Sequence, residues 1–102
     1  MVFDSSKIEG FEWDRGNLEH IEKHNISYRD CEDAFLNKPF IINEDEPHSQ
    51  TEERFRAYGQ TNKRRLIFII FTIRNNRIRV ISSRSQNKKE RKEFEETGGE
   101  NL

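Results

Sequence analysis

At 102 residues, 36% of them charged and only 31% hydrophobic, the chain has room for one domain around one small core, built economically from eight Phe and one Trp. Its net charge of −1 conceals a sharp sorting: residues 1–53 carry 14 Asp/Glu against 5 Lys/Arg, and residues 54–102 carry 13 Lys/Arg against 5 Asp/Glu. A single cysteine, Cys31, excludes an intrachain disulfide framework, and the longest apolar run, Leu66 to Ile73, is far too short for a membrane-spanning helix.

Phe11-Glu12-Trp13 alternates apolar and polar, which predicts a short first strand, with Asp14 capping the helix that follows. That helix spans Asn17 to His24, with Leu18 and Ile21 on its buried face and Asn25 ending it in the left-handed conformation. Ser27-Tyr28-Arg29-Asp30 has the form of a capping box. Behind it Tyr28, Cys31, Ala34 and Phe35 share a helical face, and Pro39 stops this second helix. Phe40 to Asn43 reads as a strand entering the acidic loop Glu44-Asp45-Glu46-Pro47.

Arg54 to Tyr58 alternates and reads as a strand, with a turn over Gly59-Gln60-Thr61-Asn62. Leu66 to Ile73 is apolar on both faces and predicts the central strand. Arg74-Asn75-Asn76-Arg77 is a tight hairpin, because Asn accepts positive φ angles. Arg77 to Ser82 is the partner strand. Asn87, with Glu90 three residues on, caps a third helix running to about Thr97 with Phe94 as its apolar anchor. The order predicts an α+β domain: a twisted antiparallel sheet, two N-terminal helices and a C-terminal helix, all helices against one face. Residues 1–97 form the single domain. Gly98-Gly99-Glu100-Asn101-Leu102 reads as an expression-tag remnant. No signal-peptide pattern opens the chain, so a soluble cytoplasmic protein is expected.

The charge sorting has two readings. A basic, strand-rich half suits phosphate chains; an acidic half packed against a basic half explains the same sorting. Arg54, Arg56 and Tyr58 share one strand face, and Arg77 and Arg79 share another. Arg84 follows, and Lys88, Lys89, Arg91 and Lys92 crowd the start of the last helix. Cations there oppose the helix dipole unless an anion is bound; the plainer reading pairs them with Glu93, Glu95 and Glu96. His20 and His24 lie on one helical face beside Lys23. Either is a candidate for proton transfer near neutrality, or an ordinary polar-face histidine. Zinc binding lacks its spacing, since His48 and Cys31 complete no ligand pattern, so neither metal nor cofactor is expected. Glu53 is a candidate base or an ion-pair partner. Cys31 and Trp13 read as core.

The pieces Phe11-Glu12-Trp13-Asp14-Arg15-Gly16-Asn17, His20, Lys23-His24-Asn25-Ile26, Glu53-Arg54-Phe55, Gly59, Leu66 to Thr72, Arg79-Val80-Ile81-Ser82-Ser83-Arg84 and Glu90-Arg91 come in the order and spacing of the BrnT toxins, which this sequence resembles over most of residues 11–95. The resemblance implies a RelE/ParE-like fold with helices on one side of the sheet, metal-independent endoribonuclease activity that inhibits translation, an RNA substrate met free or on the ribosome, and a ribbon-helix-helix antitoxin. The matching polar positions are His20, Lys23, His24, Glu53, Arg54, Arg79, Arg84 and Arg91. The chain departs from the family with Asn25 for Gly, Ser83 for Ala and Phe94 for Tyr.

RNA cleavage without metal needs a base for the 2′-hydroxyl, cations for the phosphorane and an acid for the leaving 5′-oxygen. Under the resemblance, Arg79 and Arg84 hold the phosphate and Lys23 adds charge. His24, or alternatively His20 or Glu53, moves the proton. Arg54, Arg56, Arg77, Lys88, Lys89 and Arg91 bind RNA. Lys23 and His24 are expected to face Arg79 and Arg84 across one cleft. Two other classes stand beside this one: a non-catalytic RNA- or ribosome-binding module, and an interaction protein whose basic face docks an antitoxin.

Overall fold

The computed structural model describes residues 5–38, 40–44 and 53–98. The acidic loop beyond Glu44, with His48, Glu52 and the final residues 99–102, lies outside the described residues, as does Pro39. After a short 3₁₀ turn at Ser5–Lys7 come β1 (Gly10–Phe11), α1 (Arg15–Glu22), α2 (Tyr28–Leu36), β2 (Ile41–Glu44), β3 (Phe55–Gln60), β4 (Leu66–Arg74), β5 (Arg77–Ser85) and α3 (Lys88–Gly98).

All three helices begin where side-chain chemistry starts them. Asp14 and Asn17 form a reciprocal capping box at α1, and Ser27 and Asp30 do the same at α2. At α3, Glu90 N–H donates to Asn87 Oδ1 at 2.8 Å, and Asn87 N–H donates to Glu90 Oε1 at 2.9 Å. Each such cap stabilises its helix by about 1 kcal/mol. Asn25 ends the turn after α1 at φ 59°, as expected of a residue that tolerates the left-handed region.

The five strands lie in the order β1-β5-β4-β3-β2, with the apolar β4 at the centre. The sheet is antiparallel except at one edge, where the two-residue β1 runs parallel to β5. The first strand is therefore shorter than Phe11-Glu12-Trp13. β3 runs on through Gly59 and Gln60, because both pair with β4, and β5 runs on to Ser85. Asn75 and Asn76, at φ 51° and 62°, make the two-residue hairpin between β4 and β5.

One irregularity re-aims β5. Ile70 pairs with Ser82 but Phe71 pairs with Val80, so Ile81 is an extra residue in β5. In a regular strand, residues five apart face opposite sides. The bulge restores register, so that Arg79 opposite Thr72 and Arg84 opposite Phe68 share a face.

The other face of the sheet carries the main core: Phe55, Ala57, Ile67, Ile69, Phe71, Ile78 and Val80, covered by Ile21 of α1, Ile26, and Cys31 and Ala34 of α2. Phe35 links the layers, edge-on to Phe71 at 5.0 Å. Cys31 is fully buried in this core and Trp13 packs against it, its indole N–H donating to Glu32 at 2.8 Å; both expectations hold.

The single-face arrangement of helices does not hold. α1 and α2 cover the core face, but α3 lies on the opposite face, where Glu90 meets Arg84 and Phe94 is buried outside the main cluster. The reason is that β4 is apolar on both sides, so Phe68 also needs cover, and α3 supplies it. Among the described residues no helix is long and apolar enough to cross a membrane.

Candidate functional site

The α3 side of the sheet is the arginine side. Arg56 pairs with Ile70, and Tyr58 with Phe68, whose other neighbour is Arg84. Phe68 forms the floor: the Tyr58 ring lies 5.3 Å from it and the Arg84 guanidinium 4.3 Å above it. Arg84 Nη1 and Nη2 donate to the two carboxylate oxygens of Glu90 at 2.7 and 3.0 Å, a bidentate pair, and Nη1 also donates to the Ser85 carbonyl at 3.1 Å. The hydrogen bond from Arg84 holds the Glu90 carboxyl below its ordinary value against the opposing effect of burial. Burial, and then the nearby Glu90 charge, raise the Tyr58 hydroxyl.

α3 turns its cations outward. Lys88, Lys89, Arg91 and Lys92 are exposed and, with Glu95, line an open depression along the helix. Arg84, through Glu90, lies against the first turn of α3, which also carries the exposed Lys88 and Lys89.

Arg79 lies elsewhere. Five residues along β5 put it about 16 Å from Arg84. Its Nη1 donates to Glu12 Oε1 at 3.0 Å and to Asp14 Oδ2 at 2.7 Å, and its Nη2 reaches Asp14 Oδ1 at 3.3 Å. The side chain is only 17% exposed and both carboxylates come from the acidic half. The Asp14 hydrogen bond raises the Arg79 guanidinium, and the same bond lowers the Asp14 carboxyl.

α1 runs alongside β5 on the core face. Asn17, at its start, donates to the Val80 carbonyl, while the turn after it reaches the far end of the strand through Arg65. Arg65 donates to the carbonyls of His24 and Asn25 at 3.2 and 2.6 Å and to Ser85 Oγ at 2.9 Å. His24 and Lys23, both exposed, therefore stand at the Arg84 end of β5. His20 is exposed in the last turn of α1. Glu53 belongs to the Arg79 end, since its carbonyl accepts from Thr72 Oγ1, and Thr72 is the partner of Arg79. Arg54 adjoins it, and Arg77 is exposed at the hairpin.

The sequence-derived residues thus fall into two groups. One holds Arg56, Arg84, Lys88, Lys89 and Arg91, with Lys23 and His24 held beside the same strand end; the other holds Glu53, Arg54, Arg77 and Arg79. Sequence reasoning missed Asn17, Arg65 and Glu90 as organisers. Glu90 carried a signal, its spacing from Asn87, but only as a cap. Among the described residues no cluster of His, Cys, Asp and Glu has the arrangement to hold a metal ion. Cys31 offers no nucleophile: burial pushes its thiol up to about 12.

The family model for the ribonuclease toxin BrnT of type II toxin–antitoxin systems matches residues 13–90. No curated protein matches the chain. The match spans the capped α1, strands β2 to β5 with the bulge and the start of α3, so it contains both Arg79 and Arg84. The chain belongs to the BrnT family of ribonuclease toxins.

Proposed function

We propose that this BrnT-family chain cleaves RNA without a metal ion, by attack of a 2′-hydroxyl on the adjacent phosphate, at the Arg84 end of β5. The observation that carries the assignment is the placement of Arg84 against the first turn of α3, beside the exposed Lys88 and Lys89. In this reading Arg84, with Arg56 near it, binds the scissile phosphate and stabilises the phosphorane. Lys88, Lys89, Arg91 and Lys92 hold flanking phosphates. His24 takes the proton of the 2′-hydroxyl as the O2′–P bond forms; the P–O5′ bond breaks and the leaving oxygen takes a proton from water or a neighbouring acid. The products are a 2′,3′-cyclic phosphate and a 5′-hydroxyl end. Arg79 serves the fold, because a phosphate there would meet the carboxylates of Glu12 and Asp14.

The partner in this reading is a ribbon-helix-helix antitoxin whose acidic segment covers the same basic pole. One observation favours a second reading, RNA binding without cleavage: Arg79 and Arg84 of β5 are each engaged by a carboxylate in the free chain. Induced expression with mapping of RNA 5′ ends separates the two. New 5′-hydroxyl ends in wild type that vanish in Arg84→Ala and His24→Ala, with both variants folded, support cleavage. Growth arrest without new ends supports binding alone.

A further inference from the structure

The structure assigns Glu90 as a positioning residue for Arg84, one that aims the guanidinium at a phosphate. This rests on the reading of Arg84 given above and deepens it. Three features of the geometry carry it.

The carboxylate is fixed from two sides. Glu90 Oε1 accepts from the Asn87 N–H at 2.9 Å while the Glu90 N–H is held by Asn87 Oδ1 at 2.8 Å. The first turn of α3 therefore sets where the carboxylate stands, and its side chain is only 13% exposed. The guanidinium is in turn fixed in plane by the Phe68 ring 4.3 Å below it.

The contacts of Arg84 also leave one edge of its fork available. Both Nη1 hydrogens are committed, to Glu90 Oε1 and the Ser85 carbonyl, and one Nη2 hydrogen goes to Glu90 Oε2. Among the described residues nothing accepts from the Nε–H or the second Nη2–H. These two donors form a parallel pair of the kind that matches two phosphate oxygens. Glu90 thus occupies one edge of the guanidinium and presents the other.

The charge balance differs from that of Arg79. One carboxylate faces Arg84, whereas two face Arg79, and Arg56 lies close enough to Glu90 to lower its carboxyl further. With one carboxylate against it rather than two, Arg84 keeps more attraction for a phosphate than Arg79 does, so Glu90 lowers affinity without abolishing attraction.

The test is Glu90→Gln in the full chain. Gln keeps the capping box and the shape but loses the charge and one of the two charge-assisted bonds. Binding is measured with a fluorescein-labelled 20-nucleotide RNA of mixed sequence, and cleavage by 5′-end counts after matched induction. The expected result is a split: binding tighter by about threefold, because a negative charge near the phosphate is gone, and cleavage lower by at least about tenfold, because the fork is no longer aimed. A purely capping role predicts a lower Tm with binding and cleavage falling together. A purely electrostatic role predicts tighter binding with cleavage unchanged or raised. Either outcome overturns the proposal. Glu90→Asp provides the second variant: with the charge kept and the reach shortened, binding stays at the wild-type level and cleavage falls. Full cleavage by Glu90→Asp overturns the aiming role. A wild-type chain that makes no new 5′ ends overturns the ribonuclease reading itself, an outcome separate from a wild type that cleaves while Glu90→Gln cleaves equally well.

Discussion

Asn17→Ala is expected to be among the most damaging single truncations of a polar side chain in this protein. Asn17 is 4% exposed. Its Nδ2 donates to the Glu12 and Val80 carbonyls, both at 3.0 Å, and its Oδ1 accepts from the Asp14 N–H at 2.8 Å. The residue therefore joins the exit of β1, the start of α1 and the middle of β5 at one point. Alanine removes three hydrogen bonds, each contributing about 1 kcal/mol, and leaves the Val80 carbonyl without this donor in a buried place, a further cost of about 1 kcal/mol. The sum is about 4 kcal/mol, an unfolding-temperature loss of roughly 16–32 °C for a domain of this size. Asn17→Asp keeps the shape but replaces the donor with an acceptor facing two carbonyl oxygens, so it is expected to cost at least as much. Urea unfolding of wild type and both variants, followed by tryptophan fluorescence from Trp13, measures the differences. A loss below about 1 kcal/mol in Asn17→Ala would refute the claim that this side chain ties α1 to β5.

The remaining predictions address other levels of the structure. Cys31, with its thiol pushed up to about 12, should resist a disulfide reagent at pH 8 in the folded protein and react at once in urea; rapid labelling of the native state contradicts its burial. The carboxyl of Glu90 lies below its ordinary value of 4.5 in the folded state, because of the Arg84 bond, so its stabilisation is present above that pH and is lost as pH falls below it. Urea midpoints between pH 7 and pH 3 should decline less steeply in Glu90→Gln than in wild type, and equal slopes refute the link. Gly59→Ala sets a Cβ 2.8 Å from Phe40 Cδ1 and 3.2 Å from Ala34 Cβ, an overpacking cost of about 1–3 kcal/mol, visible as a lower Tm. Replacing Lys88, Lys89 and Lys92 by Gln should reduce the slope of log affinity against log salt for a single-stranded RNA by about 2, and an unchanged slope removes these lysines from the interface.

The parts of the fold that local chemistry dictates were legible. Asp14, Ser27 and Asn87 each start a helix because a short polar side chain followed three residues later by a reciprocating one satisfies free N–H groups, whatever the tertiary context. Asn75-Asn76 makes its hairpin for an equally local reason, and Leu66 to Ile73 is central because it is apolar on both faces. What stayed hidden depends on partners distant in sequence. The bulge at Ile81 has no glycine or proline to mark it, and only the pairing with β4 reveals it. α3 offers one apolar residue, Phe94, too little to tell which face of the sheet it covers. Asn17 reads as an ordinary polar residue in a first helical turn, and its burial is decided by Val80, 63 residues away. The basic residues of the proposed site were legible as types, but their division between the two ends of β5 was not, since it is set by Glu12 and Asp14 at one guanidinium and Glu90 at the other, which only the fold brings there.

Under the proposed function, that division gives each of the two readings of the charge sorting its own place. At the Arg79 end the acidic half does pack against the basic half: Glu12 and Asp14 close on the guanidinium, and the charges are spent on holding β1 and α1 against β5. At the Arg84 end the pairing is internal to the basic half, with Glu90, and four further cations on α3 face solvent. Arg65 then fastens the exposed Lys23 and His24 beside this same end, by bridging the carbonyls after α1 to Ser85. Neutralising Arg79 is therefore expected to act through stability, and neutralising Arg84 through RNA. A pair of variants, Arg79→Met and Arg84→Met, separates the two: the first lowers the urea midpoint with little change in RNA affinity of the folded fraction, whereas the second weakens RNA binding by the folded fraction as well as losing the stability of the Glu90 pair. The opposite pattern would move the phosphate site to the acidic end of the strand.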